Sequence, residues 1–287
     1  MVDRAVFATF FKDDELQRRI NDRPVGVARF HLHRFGVKQF CIKLNSFIKI
    51  VNIVSKLLTP PYFVTLTNEM AYCHMTFLKS DDEVVQAYLE FRTRVVGLIR
   101  EIPESQASLS VPLCPDWEVS SLISHIVGVP EDILAGRMEG VTTDAWTQAQ
   151  VDRHEGESLS QLADALLATA VEFDVLLPHI PSPINSQMMM DAVTHEHDLR
   201  HAVGRAGAQD SLAVNVALGW LLDMVEGKAP GGAQELVNSG VPHYELMRSL
   251  TGRRSVEQMK QFGLDGEQIK LLLQGTPLRV PMTAIEF

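Results

Sequence analysis

Fourteen consecutive residues, Asp191 to Gly204 (DAVTHEHDLRHAVG), contain three histidines, two aspartates and one glutamate. Imidazole nitrogens and carboxylate oxygens are the groups that proteins use to bind zinc and related divalent metals. A segment this rich in both groups therefore predicts a metal site. Which of its side chains hold the ion depends on how the segment is folded.

The segment has the spacing of a helix, and a helix turns by about 100° per residue. Asp191 and His195 then lie one turn apart on one face, with Asp198 on the same stripe beside the apolar side of the helix. His197 and His201 form a second pair, nearly opposite. We expect the first stripe to point into a helical core and the second pair to face its edge or solvent.

A third ligand must come from another helix. The sequence HEHDL does not fit the metalloprotease motif HExxH, because Leu199 stands at the position of the second histidine. The second predicted helix, in the segment WEVSSLISHIVG (117–128), offers His125. With Asp191 and His195 it would form a set of two histidines and one carboxylate, which leaves a coordination position free for catalysis. The alternative is that each of these histidines only packs at the edge of the core.

The elements that must position these residues are helical. Apolar residues recur at spacings of three and four from Ser80 onward, Ser80 is placed as an N-cap, and no alternating strand pattern is evident between Ser80 and Gly227. We predict an all-α fold, with a bundle over residues 80–227 and helices of residues 228–287 packed on it. Asp116 is expected to cap the second helix, Gly128 and Pro130 to weaken or end it, and PEDILAGRM (130–138) to add a short continuation.

Residues 1–79 differ in composition from the rest of the chain. They carry 12 Lys and Arg against 6 Asp and Glu, and 9 of the 13 phenylalanines. Three interpretations stay open: a poorly ordered extension, an over-long reading frame whose natural start is Met70 or Met75, or a small basic interaction arm. We predict that this segment lies outside the bundle.

Charge and cysteine content narrow the function classes. The chain has a formal net charge of −10, which disfavours nucleic acid as the main partner because phosphate binding needs a basic surface. No run reaches the ~20 apolar residues of a membrane helix. Cys41, Cys73 and Cys114 are widely spaced and odd in number, which is typical of a reducing compartment. We therefore predict a cytoplasmic protein without a membrane partner.

Three segments together resemble one family. LCPDWEVSSLISHIVG (113–128), DAVTHEHDLRHAVGRAG (191–207) and ELMRSLTGRRSVEQM (245–259) are similar, in order and spacing, to segments of the mycothiol-dependent maleylpyruvate isomerase family. The resemblance runs from about residue 82 to the end of the chain. It implies a DinB-like four-helix bundle, which agrees with the helices predicted above.

The resemblance also implies a site. The family's metal ligands fall on His125, Asp191 and His195, with Asp191 in place of the glutamate that is common in the isomerases. Asp198 matches the family's aspartate and is expected to orient a ligand. The implied cofactors are a divalent metal, with zinc expected, and mycothiol as a thiol cosubstrate. The implied partner is a small electrophilic molecule.

The resulting hypothesis is thiol chemistry. A metal-bound thiol has a lowered pKa, and its thiolate can add to an electrophilic carbon to give isomerisation or S-transfer. Arg253 or Arg254 could clamp a substrate carboxylate, unless they lie at a solvated helix terminus. Arg153 is a weaker candidate for substrate binding. Gln150 is a weaker candidate for the pocket. Trp117 is predicted to pack at the end of the bundle.

Two rival functions use the same residues. In the first, metal-activated water replaces the thiol and the protein is a hydrolase. In the second, the bundle binds a metal or a thiol without catalysis. Cys114 precedes the second helix and could approach the site, although a buried structural thiol is the simpler interpretation.

Overall fold

The computed structural model describes residues 76–285, and the predictions about residues 1–75 lie outside this range. Residues 77–285 form one compact unit. It is helical apart from one short hairpin, which confirms the all-α prediction. The boundary predicted between residues 227 and 228 falls at the end of a helix, with both sides in the same unit.

Eleven α-helices and two strands lie within the described residues, in the following order. They are α1 (Asp81–Glu101), β1 (Ser110–Val111), β2 (Cys114–Glu118), α2 (Val119–Ala135), α3 (Asp144–Arg153), α4 (Leu159–Ala168), α5 (Ala170–Leu176), α6 (Ile184–Ala202), α7 (Leu212–Lys228), α8 (Gly232–Asn238), α9 (His243–Leu250), α10 (Val256–Gln261) and α11 (Gly266–Leu272).

Helices α1, α2, α4 and α6 form the bundle. Helix α6 packs against α1 and α2, and α4 packs against the same two helices from the other side. Helix α7 covers α1 and α6, and α9 in turn packs on α7. Helix α6 is therefore covered on two sides, by the bundle and by the C-terminal helices, which accounts for the burial of its polar residues.

Helix α1 begins as its sequence predicts. The Ser80 hydroxyl accepts a hydrogen bond from the Glu83 backbone, and the Glu83 carboxylate accepts one from the Ser80 backbone, which makes a complete capping box. Three acidic residues in the first turn stabilise the helix because they lie at the positive end of its dipole. The apolar stripe buries Val84, Phe91 and Val95 completely or nearly so, and this fixes which face of α1 meets the bundle.

The approach to α2 differs from the prediction. A two-stranded antiparallel hairpin, in which Val111 pairs with Cys114, lies in the region where the sequence showed no strand pattern. The strands are too short for an alternating pattern to show in the sequence. Glu118, and not Asp116, occupies the N-cap position, without a side-chain cap. The predicted cap was wrong because β2 continues past Asp116.

Helix α2 and its predicted short continuation form one helix. It passes through Pro130 and ends at Ala135, where Gly136 adopts a left-handed conformation with φ of 67°. A proline removes one intrahelical hydrogen bond, but Leu122, Ile126 and Val127 keep the preceding turns buried. None of the helices in residues 76–285 is long and apolar enough to span a membrane.

The predicted exposure of His197 was wrong. Only 2% of its surface is exposed, and its ring packs on Tyr244 of α9 at a centroid distance of 4.8 Å. The prediction treated α6 as the outer edge of a bundle, whereas α7 and α9 cover that side. Burial, together with the nearby Arg248 and Arg200, lowers the pKa of His197 to about 3.

This lowered pKa predicts a loss of stability in mild acid. Unfolding exposes His197, which then binds a proton below its ordinary pKa of about 6.5, while the folded protein does not until about pH 3. The contribution of His197 to the free energy of unfolding is complete above pH 6.5. It should fall by about 2 kcal/mol between pH 6.5 and pH 5, where one proton is taken up per unfolding event.

Urea denaturation at these two pH values checks the His197 prediction. His197→Asn should reduce the difference between the two free energies of unfolding by most of that amount. His179→Ala, at an exposed histidine, should leave the difference unchanged. An equal pH dependence in His197→Asn and the unaltered protein would contradict a neutral, buried His197.

Candidate metal centre

The structure brings His125, Asp191 and His195 together. The Nε2 atom of His125 lies 3.3 Å from Asp191 Oδ2, and the Nε2 atom of His195 lies 3.6 Å from Asp191 Oδ1. One donor atom from each of the three residues lies within 4.8 Å of the other two. The shorter side chain of aspartate therefore still reaches both imidazoles.

Two neighbouring helices position these groups. Helix α6 supplies Asp191 and His195 from successive turns, and α2 supplies His125 across the bundle. The two imidazole rings meet edge to face, with centroids 4.9 Å apart. Trp117, in β2, packs against both rings at 5.2 and 5.8 Å. It is a packing residue, as predicted, but its ring covers the candidate site.

A buried hydrogen-bond chain holds His125. Its Nδ1 lies 2.7 Å from Oε1 of Gln150, an amide oxygen that can only accept. Gln150 in turn donates to Asp132, which also accepts hydrogen bonds from Arg137 and Arg153. This arrangement places the proton of a neutral His125 on Nδ1, so that the lone pair of Nε2 faces Asp191 and His195.

Close packing of α3 on α2 makes this chain possible. A Cβ atom added at Gly128 would lie 2.5 Å from Cβ of Gln150, so only glycine allows Gln150 to approach this closely. Gln150 has no exposed surface. Gln150 was predicted to line the pocket. It lies instead behind His125 and fixes the orientation of that side chain.

Replacing Gln150 by leucine should weaken metal binding by about 10- to 100-fold, because His125 loses the partner that fixes its tautomer. Zinc affinity is measured by competition with a chromophoric chelator. Gln148→Leu, on the exposed side of the same helix, is the matched control and should retain the affinity. Equal affinities in the two variants would show that the hydrogen bond does not orient the histidine.

The carboxylate of Asp191 connects the site to solvent. Its side chain is 40% exposed, whereas those of His125 and His195 are 5% and 11% exposed. Desolvation would raise the pKa of Asp191, but the adjacent His125 and His195 outweigh this effect and hold it far below its ordinary value. The aspartate is therefore ionised at neutral pH and can serve as an anionic ligand.

A buried carboxylate stands behind His195. Nδ1 of His195 lies 3.3 Å from Asp198 Oδ2, although the two atoms are not aligned as a hydrogen bond. Burial lowers the pKa of His195, but its contacts with Asp191 and Asp198 outweigh this and raise it well above the ordinary value. A metal at Nε2 must therefore displace a proton, which makes its binding weaker at lower pH.

Arg248 of α9 and Arg253, in the turn between α9 and α10, neutralise Asp198. Arg248 donates to Oδ1 at 2.8 Å, and Arg253 donates to Oδ2 at 2.9 Å. Asp198 is fully buried and Arg248 is 1% exposed. Burial would raise the pKa of Asp198, but Arg253 and Arg248 hold it well below its ordinary value. These two ion pairs connect the C-terminal segment to Asp198, which lies behind the candidate ligand His195.

The three arginines predicted as candidates for substrate binding all have protein partners. Arg253 is bound to Asp198 and to the carbonyl oxygen of Thr251. Arg254 pairs with Glu245, and Arg153 pairs with Glu131 and Asp132. Their role in substrate binding stays a prediction, and it would require these ion pairs to be exchanged for the substrate.

Sequence reasoning missed Arg248 and underrated Cys114. Arg248 lies within ELMRSLTGRRS, one of the segments that carries the family resemblance, so a signal was present. Cys114 Sγ lies 3.6 Å from Asp198 Oδ2, and these two residues with His195 form a second group of potential ligands. Both oxygens of Asp198 are already paired with arginines, so the group containing Asp191 is better suited to a cation.

A family model describes part of this bundle. Residues 88–183 match the mycothiol maleylpyruvate isomerase N-terminal domain. The family resemblance is confirmed. The match to the maleylpyruvate isomerase N-terminal domain covers most of α1 and all of α2 to α5, and it includes His125. Asp191 and His195 follow beyond its end. No curated protein and no solved structure matches the chain.

Proposed function

We propose that this protein is a metal-dependent enzyme that uses a low-molecular-weight thiol, mycothiol, to isomerise an electrophilic small molecule or to transfer sulfur to it. The observation that carries the proposal is the convergence of His125, Asp191 and His195 within 4.8 Å. The maleylpyruvate isomerase domain supports the thiol and the reaction class.

The residues present suit a divalent cation such as zinc. Two imidazole nitrogens and one carboxylate form a donor set used by catalytic zinc sites, which keep a further position free for water or substrate. The contact of Gln150 with Nδ1 of His125 leaves Nε2 as the ring nitrogen that can bind a metal. When bound, the metal supplies the positive charge that lowers the pKa of a thiol, so that thiolate is present at neutral pH.

The surrounding residues hold the donor side chains in place. Trp117 packs against both imidazole rings and helps to hold them in place. Asp198, held by Arg248 and Arg253, keeps a fixed negative charge beside Nδ1 of His195. These contacts hold the donors in place before the substrate arrives, which reduces the reorganisation needed during the reaction.

The thiolate would act as a nucleophile. With a cis double bond conjugated to a carbonyl, a carbon–sulfur bond forms, the former double bond rotates, and the thiolate leaves to give the trans isomer. With an epoxide, the carbon–sulfur bond forms as the carbon–oxygen bond breaks, and the oxygen takes up a proton. The first substrate gives isomerisation, and the second gives S-transfer.

Turnover of zinc-loaded protein, measured with and without mycothiol, tests the proposal. The substrates are a cis-unsaturated keto acid and an uncharged epoxide, and metal-free protein is the control. Activity that needs both zinc and thiol is expected. Turnover with zinc alone would favour the hydrolase. Bound zinc without turnover would favour a binding module, and failure to bind zinc would refute the metal-dependent mechanism.

A further inference from the structure

The hydrogen-bond chain behind His125 leads to a buried carboxylate, that of Asp132. Asp132 lies about two turns after His125 on α2, and Gln150 of α3 bridges the two side chains. Only 1% of the surface of Asp132 is exposed, and Gln150 has no exposed surface. Because water does not compete at these positions, each hydrogen bond of the chain must join one donor to one acceptor.

The two carboxylate oxygens of Asp132 have different partners. Oδ1 accepts a hydrogen bond from Arg137 at 2.6 Å and another from Arg153 at 2.7 Å. Oδ2 accepts one from Nε2 of Gln150 at 2.8 Å. A carboxylate paired with two guanidinium groups offers only acceptors. The amide of Gln150 must therefore turn its NH2 group toward Asp132 and its oxygen toward His125.

The direction of the Gln150 amide decides which ring nitrogen of His125 is available to a metal. Its oxygen lies 2.7 Å from Nδ1 of His125 and can only accept, so the proton of the neutral ring belongs on Nδ1. Nε2 is then the nitrogen that faces Asp191, at 3.3 Å. A reversed amide would present its NH2 group to Nδ1, and the ring proton would have to move to Nε2. A protonated nitrogen cannot bind a metal.

We infer that Asp132 is a positioning residue of the metal centre: its carboxylate sets the direction of the Gln150 amide and thereby keeps Nε2 of His125 available to a divalent cation such as zinc. The inference rests on the proposed function, because it concerns a ligand of the same site. Asp132 acts through Gln150 and needs no contact with the metal. Its effect is therefore on the binding of the metal, which is measurable without substrate.

Asp132→Asn tests the inference, because it keeps the shape of the side chain and replaces one acceptor by a donor. Arg137 and Arg153 hold the remaining oxygen at the position of Oδ1, so the new NH2 group faces the NH2 group of Gln150. Two buried donors cannot satisfy each other, so Gln150 must reverse its amide. Zinc affinity, measured by chelator competition on metal-free full-length protein, should fall about 10- to 100-fold.

The double variant Asp132→Asn/Gln150→Glu separates this role from a merely structural one. The carboxylate introduced at position 150 accepts from the amide introduced at position 132 and from Nδ1 of His125, so the ring regains its acceptor. Zinc affinity should return to about that of the unaltered protein. Asp152→Asn, at an exposed position on α3, is the matched control and should retain the affinity. Unaltered affinity in Asp132→Asn, or a double variant as weak as Asp132→Asn, would overturn the inference.

Nuclear magnetic resonance of the metal-free protein at alkaline pH reads the amide direction without zinc or substrate. The Overhauser contact between the side-chain NH2 protons of Gln150 and the ring protons of His125 should be weak in the unaltered protein. It should become strong in Asp132→Asn, where the NH2 group faces the ring. A strong contact in the unaltered protein would overturn the inference, even if Asp132→Asn failed to fold.

Failure of this inference is distinguishable from failure of the proposed function. Zinc affinity and thiol-dependent turnover are measured on the same samples. Thiol-dependent turnover of the unaltered protein, together with unaltered zinc affinity in Asp132→Asn, would retain the function and remove the role of Asp132. A reversed amide and weakened zinc binding in Asp132→Asn, without any turnover in the unaltered protein, would retain the role of Asp132 and remove the enzymatic proposal.

Discussion

The His195→Ala variant is expected to lose its divalent metal and, with it, more than about 100-fold of the thiol-dependent activity, since a ligand matters more than the groups that orient it. The side chain supplies one of three donors that lie within 4.8 Å. The two donors that remain, His125 and Asp191, lie on different helices and are too few to hold a divalent ion. Elemental analysis after zinc reconstitution should find about one ion per chain in the unaltered protein and almost none in the variant.

The matched control for this experiment is His179→Ala. His179 is an exposed histidine of the segment that joins α5 to α6, so its removal changes the histidine content without touching the site. His125→Ala should behave like His195→Ala because its Nε2 faces the same carboxylate. Full zinc occupancy in both site variants would show that the ion binds elsewhere and would refute this ligand set.

Asp198→Asn should destabilise the fold by about 3–5 kcal/mol, because it keeps the shape of the side chain and removes the charge that balances two buried arginines. Arg248 and Arg253 both donate to this carboxylate, and their side chains are only 1% and 11% exposed. Arg248 donates one hydrogen bond to the carbonyl oxygen of Thr194 and one to Asp198, so the substitution leaves its positive charge without this carboxylate partner. Urea denaturation monitored by helical circular dichroism gives the change in the free energy of unfolding.

Asp164→Asn is the matched control for Asp198→Asn. Asp164 pairs with Arg100 on the surface, where the two side chains are 65% and 49% exposed, so its loss should change the free energy of unfolding by less than about 1 kcal/mol. Similar effects of the two substitutions would mean that the buried ion cluster adds little to the fold. Activity losses in Asp198→Asn must be measured on protein shown to be folded, because Asp198 also contacts His195.

The same cluster has a pH dependence of defined sign. The pKa of Asp198 is lower in the folded protein than in the unfolded chain. Its contribution to stability is therefore complete above the unfolded pKa of about 3.9 and is lost as the pH falls below that value. The loss occurs at more acidic pH than that from His197, which begins below about pH 6.5, so acid titration of the two variants separates the two residues.

Local pattern was sufficient to predict the helices and the composition of the candidate site. The capping box at Ser80 and the apolar spacing of α1 depend only on neighbouring residues, and both occur in the structure. Asp191 and His195 lie one turn apart because the period of a helix requires it. The pairing of this helix with His125 also followed from the sequence, since His125 borders the apolar face of its own amphipathic helix and the family segments carry the same order.

Contacts between distant residues account for what the sequence did not reveal. The hairpin before α2 has strands too short to leave a periodic pattern, and the burial of His197 depends on α9, which follows more than forty residues later. Gln150 reaches His125 only because Gly128 permits α3 to pack closely on α2. None of these features is visible in a single helix considered alone.

The sequence by itself determined an all-α chain with a divalent-metal donor set on two helices, because helix periodicity and the chemistry of histidine and aspartate are local properties. Only the tertiary structure decided which charges remain free to meet a substrate. Arg253 has the same chemistry whether it clamps a ligand or neutralises Asp198, and the distance of 2.9 Å between them assigns it to the protein.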